Sequence, residues 1–393
     1  MGKKKIVLAY SGGLDTAVAV KWLIDRGYEV VCYMGDLGQG SDVARSRDRA
    51  LKTGAIKCIV GDLKTKFIRD YAFHALKAGA LYQGRYNLAT ALSRPVIADA
   101  MVDVARKEKA VAVAHGCTGK GNDQVRFETT FHIKAPQLKV VAPVREWELT
   151  TREDEIDYAK KHKIPIEQNK KKLYSVDVNL WGTSLEGGKL EDPWVEPPSD
   201  TYISVVNPEK APAKARYISV TFKKGVPTAL NGKKYDSVML LKKLNDIGGA
   251  HGVGRVDMIE DRLIGIKSRE VYEAPGATIL HAGHTALEEL VLDRETAKYK
   301  KILSVRYAEL VYNGLWFTPL REAIDAFVDE SQKDVSGEVK LKLYKGNVTV
   351  CGRKSPHSRY DSSLATYGEG DTFDRSLAKG FIDLWALPYS RRK

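Results

Sequence analysis

The chain has only four cysteines in 393 residues: Cys32, Cys58, Cys117 and Cys351. None forms a C-x-x-C pair, which removes the usual framework for structural zinc and for dithiol redox chemistry, so no resident metal site is expected. Cys32 and Cys58 sit in apolar, strand-like runs and read as small core residues. Long hydrophobic runs are missing too. The longest, such as residues 6–10 and 110–114, are strand-sized, far short of the ~18 residues of a spanning helix. The opening Met-Gly-Lys-Lys-Lys is basic, but the apolar stretch after it stops at Ser11-Gly12-Gly13, too soon for a secretory core. Ile6 stands where a myristoylation signal needs Ser or Thr. The expected address is the cytoplasm. Zinc-finger spacing, an RNP1-like aromatic motif and a bZIP pattern are also absent. The net charge of +13, densest at Lys3 to Lys5 and Lys170 to Lys172, therefore suits substrates carrying phosphates and carboxylates at least as well as nucleic acid. Neither a nucleic acid nor a membrane is expected as partner.

What is present is ordinary for a globular protein, with 43% hydrophobic and 29% charged residues. The length exceeds what one hydrophobic core usually serves, so two domains are expected. Up to about residue 165 strand and helix patterns alternate, with strands at 5–10, 29–34, 56–60, 110–114 and 138–142. Asp15 is placed to cap a first helix that carries Val18, Trp22 and Leu23 on one side and stops at Gly27. A charged helix through Arg45 and Leu51 stops at Gly54. Thr150-x-x-Glu153 reads as a capping box opening a last helix that ends near Lys163. Such repeated βα units argue for an α/β fold with a parallel sheet covered by helices.

From 166 to about 214 periodicity is weak, and a stretch that long either carries function or wraps another surface. Arg216–Lys223 and Val226–Leu230 then read as a hairpin, with Asn231-Gly232 a further turn. Residues 236–247, 276–313 and 319–332 read as helices. Residues 339–344 and 348–352 form a second hairpin turning at Lys345-Gly346-Asn347, so the second unit is α+β. Phe373, Leu377, Phe381 and Trp385 make one apolar stripe on a terminal helix, which packs on its own domain or on a neighbouring subunit.

Two polar, glycine-containing loops follow strands of the first unit. Ala9-Tyr10-Ser11-Gly12-Gly13-Leu14-Asp15-Thr16 joins the first strand to the first helix. Its glycines let backbone approach an anion, the helix start offers free N–H groups, and the Ser11 and Thr16 hydroxyls add donors. It is neither a Walker A loop nor G-x-G-x-x-G. His115-Gly116-Cys117-Thr118-Gly119-Lys120-Gly121-Asn122-Asp123 follows the strand at 110–114. Arg126 shares the face of Asp123 if a helix starts there. Two such loops at one sheet edge point to a single site.

The S-G-G-x-D-[ST] pattern resembles the PP-loop of the N-type ATP pyrophosphatases, which split ATP between its α- and β-phosphates. Together with H-G-x-T-G-K-G-N-D, the chain resembles the argininosuccinate synthase family. Further matches run over nearly its whole length: Asp36-Leu37-Gly38-Gln39, Tyr86, Arg94-Pro95, Tyr174-Ser175-Val176-Asp177, Asn179-Leu180, Gly254-Arg255-Val256-Asp257, Glu260-Asp261-Arg262, Gly265-Ile266-Lys267-Ser268-Arg269, Tyr272-Glu273-Ala274-Pro275 and Tyr360-Asp361.

The resemblance implies a PP-loop nucleotide-binding domain (adenine nucleotide hydrolase-like) over 1–165, an α+β synthetase domain over 166–365 and a C-terminal oligomerisation helix over 366–393. It implies a homotetramer in arginine biosynthesis, with L-citrulline, L-aspartate and ATP as substrates and Mg2+ accompanying the nucleotide. Ala9, Tyr10, Ser11, Gly12, Gly13, Leu14, Asp15, Thr16 and Ala17 are implied around the ATP phosphates, Gly35 near adenosine, and His115 and Gly116 closing that site. Thr118, Asn122 and Asp123 are implied for aspartate. Tyr86, Asn122, Arg126, Ser175, Ser184, Glu260 and Tyr272 are implied for citrulline. Gly35 departs from the alanine of some relatives, and Ala91 from a citrulline-binding serine, with Thr90 as a substitute.

The residue types suit the chemistry. A ureido carbonyl needs activation, which AMP transfer supplies, and preorganised N–H donors stabilise the departing pyrophosphate. Little acid–base machinery is needed, and no catalytic residue is assigned beyond substrate positioning. Arg126 suits a carboxylate, and Glu260 an ammonium or ureido N–H. The rival readings are a PP-loop tRNA-modifying enzyme, whose thiolating members use catalytic cysteines, and a nucleotide-binding module without catalysis. The module leaves the second loop unexplained.

Overall fold

The computed structural model describes residues 4–40, 43–165 and 174–390. Lys170 to Lys172 and the terminal Arg391 to Lys393 lie outside them. The apolar runs of the first unit become β1 (Lys4–Ala9), β2 (Tyr28–Asp36), β3 (Lys57–Asp62), β4 (Ala112–Ala114) and β5 (Lys139–Val141), in the order β3-β2-β1-β4-β5. All neighbours are parallel. Parallel pairing demands crossovers. They are α1 (Leu14–Asp25), α2 (Val43–Lys52), α3 (Lys64–Phe67) and α4 (Phe73–Ala78) joined by a π-helical turn, then α5 (Ala89–Glu108) and α6 (Asp123–Lys134). The short α7 (Pro143–Glu146) and α8 (Arg152–Lys161) follow β5. Ile6, Leu8, Cys32 and Cys58 pack with Val18, Trp22 and Leu23 on one face of the sheet. Val7 and Val31 pack with Met101, Val102 and Phe127 on the other. Cys32 and Cys58 are register partners, buried and free.

Local details differ from the sequence reading. The capping box is Thr151 with Asp154, one residue later than Thr150 with Glu153, because the Asp154 carboxylate gathers the N–H groups of both Thr150 and Thr151. Gly13 is the N-cap of α1, and Asp15 lies in the first turn. The twenty-residue α5 is hidden in the sequence by Pro95 within it, since an interior proline normally argues for a break.

The second unit holds two antiparallel sheets. Its strands and helices are β6 (Ser175–Asn179), β7 (Gly182–Glu186), β8 (Arg216–Lys223), β9 (Val226–Leu230), β10 (Lys233–Lys234), α9 (Ser237–Ala250), β11 (Arg255–Asp261) and β12 (Lys267–Glu273). Then come α10 (Pro275–Val291), α11 (Arg294–Tyr312), α12 (Pro319–Ser331), β13 (Gly337–Tyr344), β14 (Asn347–Lys354), α13 (Ser362–Ala365) and α14 (Leu377–Ser390). One sheet runs β10-β9-β8-β13-β14 and the other β11-β12-β7-β6. The helix expected over 276–313 is two, because Leu292 is extended and Asp293 caps α11 by accepting from the N–H groups of Glu295 and Thr296. Phe373 precedes the terminal helix, so the apolar stripe on α14 is Leu377, Phe381, Leu384 and Trp385, all exposed.

Packing crosses between the units. Phe67, Leu76 and Leu92 share one core with Trp181, Leu244, Tyr307 and Leu341. Helix α5 lies between the two sheets, packing on β6 and β7 and on β1, β2 and β4. Among the described residues no helix is long and apolar enough to cross a membrane.

Candidate active site

In the parallel sheet the chain winds outward in both directions from β1 and β4, so the crevice beyond their C-terminal ends is the switch point where such sheets take ligands. The two glycine loops lie there. They are close enough that a Cβ on Gly116 would stand 2.9 Å from Thr16 Cγ2. Gly12 has φ +80°, and a Cβ there would clash with Ser46 Oγ of α2. Ser11 and Thr16 hydroxyls are 3.1 Å apart, Ser11 Oγ accepts from the Gly13 N–H, and Thr16 donates to the Gly13 carbonyl. Gly13, the N-cap of α1, makes no side-chain cap hydrogen bond, and the first N–H groups of a helix so capped suit an anion. Tyr10 and Ala17 belong to the core, while Ala9 and Leu14 are half-buried. Beside the loop, Glu155 of α8 is pushed up to about 8 by burial and by Asp15. Gly35, at the end of β2, has Ile97 Cγ1 2.9 Å from where a Cβ would project.

The second loop is held by its surroundings. His115 is fully buried, and its Nδ1 accepts from the Cys117 N–H at 3.2 Å. The proton therefore sits on Nε2, which donates to Glu128 at 3.0 Å. Gln124 donates to the carbonyls of Gly119 and Gly121, a pinning role the sequence reading missed. Helix α6 does start at Asp123, placing Arg126 on the same face, where its Nη1 donates to Asp123 Oδ1 at 2.9 Å. Arg94 donates to Asp123 Oδ2 at 2.9 Å and also pairs with Asp177. Burial would raise the Asp123 carboxyl, but Arg94 and Arg126 outweigh it and hold the group below its ordinary value.

The opposite wall is the sheet β11-β12-β7-β6. Side chains alternate along strands. Register partners Asp177, Ser184 and Tyr272 therefore point to one face, and Glu260, opposite Ser268, joins them. Ser175, two residues before Asp177, shares that face. Tyr272 donates to Glu260 Oε2 and Tyr312 to Oε1, each at 2.6 Å. Burial raises the Glu260 carboxyl against the pull of these two bonds and of Arg126 and Arg262. Tyr86 stacks on Tyr272 with centroids 4.0 Å apart. The Thr90 hydroxyl lies 3.2 Å from that of Ser184, whereas Ala91 is buried in the core. The structure thus brings Tyr86, Asn122, Asp123, Arg126, Ser184, Glu260 and Tyr272 into one basin, with Thr118 and Ser175 exposed at its rim. Tyr82 and Tyr312 belong to the basin as well. Neither carries a sequence signal, because a tyrosine near or at the end of an amphipathic segment reads as core.

A parallel α/β sheet with S-G-G-L-D-T after its first strand and a second glycine loop across the switch point defines a PP-loop nucleotide-binding fold joined to an α+β domain. Residues 5–165 match the model of the arginosuccinate synthase N-terminal HUP domain, and residues 174–391 that of the arginosuccinate synthase C-terminal domain. The chain belongs to the argininosuccinate synthase family. It is 54% identical to the argininosuccinate synthase of Chlorobium chlorochromatii over 388 residues, covering 98% of this chain and 97% of that protein. It is 53% identical to that of Carboxydothermus hydrogenoformans over 390 residues, covering 99% and 97%.

Proposed function

We propose that this chain is a carbon–nitrogen ligase that joins L-citrulline to L-aspartate with ATP, giving argininosuccinate, AMP and pyrophosphate in arginine biosynthesis. The observation that carries this reading is the meeting of a backbone-built anion cradle with a hydrogen-bonded basin of Asn122, Asp123, Arg126, Glu260 and Tyr272. The cradle at Ser11 to Thr16 holds the leaving pyrophosphate, with its donors already oriented. Gly35, His115 and Gly116 surround the rest of the nucleotide. Magnesium travels with the triphosphate as part of the substrate and keeps most of its waters. Asp15 is the carboxylate the cradle itself supplies.

Asp123, kept ionised, suits the ammonium of aspartate, with Thr118 and Asn122 beside it. Citrulline lies against Tyr86, Ser175, Ser184 and Tyr272, with Thr90 extending the Ser184 patch. Its ureido oxygen takes AMP, and the aspartate amine then displaces AMP from the activated carbon. Among the described residues Arg126 Nη2 has no partner, and this donor is the one left for a substrate carboxylate. Residues 1–165 do the nucleotide work, 166–365 complete the basin, and 366–393 serve a cytoplasmic homotetramer.

Product analysis tests the reading. In steady-state turnover AMP and pyrophosphate should form in equal amounts, and sustained turnover should require both amino acids. ADP with orthophosphate as primary products, or turnover indifferent to either amino acid, overturns it.

A further inference from the structure

One residue of the basin, Tyr312, touches both of its halves. It is fully buried in the last turn of α11. Its hydroxyl donates to Glu260 Oε1 at 2.6 Å and accepts from Asn122 Nδ2 at 2.8 Å. Its carbonyl accepts from Arg126 Nε at 2.9 Å, and the guanidinium lies over its ring at 4.9 Å. The ring is stacked flat on Tyr82, with centroids 3.6 Å apart and planes 5° from parallel. A tyrosine that only fills a core needs one partner for its hydroxyl. This one has a donor and an acceptor from two different elements, and its carbonyl engages a third group. We propose that Tyr312 is a positioning residue that locks Asn122, Arg126 and Glu260 into one geometry, so that a single phenol sets both amino-acid subsites. The inference rests on the reading of Asn122 and Asp123 as the aspartate side and of Arg126 and Glu260 as the citrulline side.

The consequence is readable through Glu260. Each of its oxygens accepts one tyrosine hydroxyl, and these bonds favour the ionised form that burial opposes. Arg126 and Arg262 act in the same direction. Tyr82, Tyr86 and Glu270 also face the carboxyl. Burial pushes both phenols up, so they stay neutral, and Glu270 is engaged by Arg262 and Ser268 and not by Tyr312. Removing the hydroxyl at 312 therefore raises the Glu260 carboxyl first. Only the ionised carboxylate accepts substrate N–H on either oxygen, so the acid limb of kcat/KM for citrulline moves to higher pH. A tyrosine that merely supports the fold lowers stability without moving that limb.

The test compares the full-length wild type with Tyr312→Phe. KM for citrulline and for aspartate should each rise about tenfold, the size of one lost charge-assisted hydrogen bond. KM for ATP should stay unchanged, and the acid limb should move up by about half a pH unit or more. Placing 3-fluorotyrosine at 312 makes the phenol a stronger donor in the same shape and should move the limb to lower pH. That replacement decides the matter if the phenylalanine variant does not fold. A wild type that consumes neither citrulline nor aspartate overturns the underlying reading. An active wild type whose acid limb is unmoved by the replacement overturns the role of Tyr312 alone.

Discussion

The proposed phosphate cradle and the proposed amino-acid basin are built on opposite plans. The cradle is a single run of eight residues, Ala9 to Thr16. It works through backbone N–H groups and the start of α1, and the charge it carries is one carboxylate. The basin draws on Tyr86, Arg94, Asn122 to Arg126, Asp177, Glu260, Tyr272 and Tyr312, and it works through side chains whose charges answer one another. A backbone site tolerates most side-chain changes and fails when a Cβ intrudes. A side-chain network fails when any member loses its partner, and its losses do not add.

The sharpest way to break this contrast is Arg126→Leu. Removing one partner of a buried ion pair typically costs ~3–5 kcal/mol, so citrulline binding should fall by two to three orders of magnitude, on the order of what that energy implies. ATP binding should stay near wild type, because the cradle shares no bond with Arg126. The same variant shows itself in acid. Asp123 is held below its ordinary value in the folded state, so its contribution to stability is present above the unfolded carboxyl value and is lost as pH falls through the folded one. With one of its two cations gone the folded value rises, that contribution shrinks, and acid unfolding should begin at higher pH. Equal citrulline binding in titrations of mutant and wild type would show that Arg126 does not hold citrulline.

Gly12→Ala is the matching test of the cradle, with a smaller effect. Its φ of +80° strains any residue with a Cβ, and the added methyl clashes with Ser46 Oγ. Strain of ~1–3 kcal/mol should weaken ATP about tenfold or more while leaving citrulline and aspartate affinities intact. Adding Ser46→Gly should recover part of the loss, since it removes the clash and leaves the backbone strain. A variant that binds all three substrates equally poorly would mean that the two regions are not separable.

The contrast also explains what the sequence made legible. The cradle is contiguous, and its residue types state its chemistry, so it could be read with its strand and helix. The second loop was readable for the same reason. The sheet β11-β12-β7-β6 was not. Its inward face carries Ser184, Glu260, Glu270 and Tyr272, with Glu260 only 3% exposed and Glu270 5%. Polar groups on a buried face erase the period-two apolar signal by which strands are recognised. The roles of Glu260 and Tyr272 came from resemblance, and Tyr312 was invisible because its partners are 190 and 52 residues away. In α5 the obstacle was Pro95, a breaker tolerated here by tertiary packing.

The smallest effect on either site is expected from the terminal helix. Leu377, Phe381, Leu384 and Trp385 line one side of α14 and are each more than half exposed, with Trp385 at 64%. Phe381 and Trp385 stack at 5.6 Å, and among the described residues no other ring lies against them. Burying side chains of this size contributes ~1.5–3 kcal/mol apiece, and a helix with such a stripe gains that only against another apolar surface. In the proposed homotetramer the surface belongs to a neighbouring subunit. Removing residues from 370 onward should therefore give smaller oligomers in sedimentation at several concentrations. ATP affinity should be unchanged, because the cradle hangs on β1 and α1 and, among the described residues, makes no bond to the tail. An oligomer of unchanged size would place the stripe on its own subunit. A fall in ATP affinity alongside smaller oligomers would mean that the cradle depends on assembly, and that the independence of the two regions holds only within the tetramer.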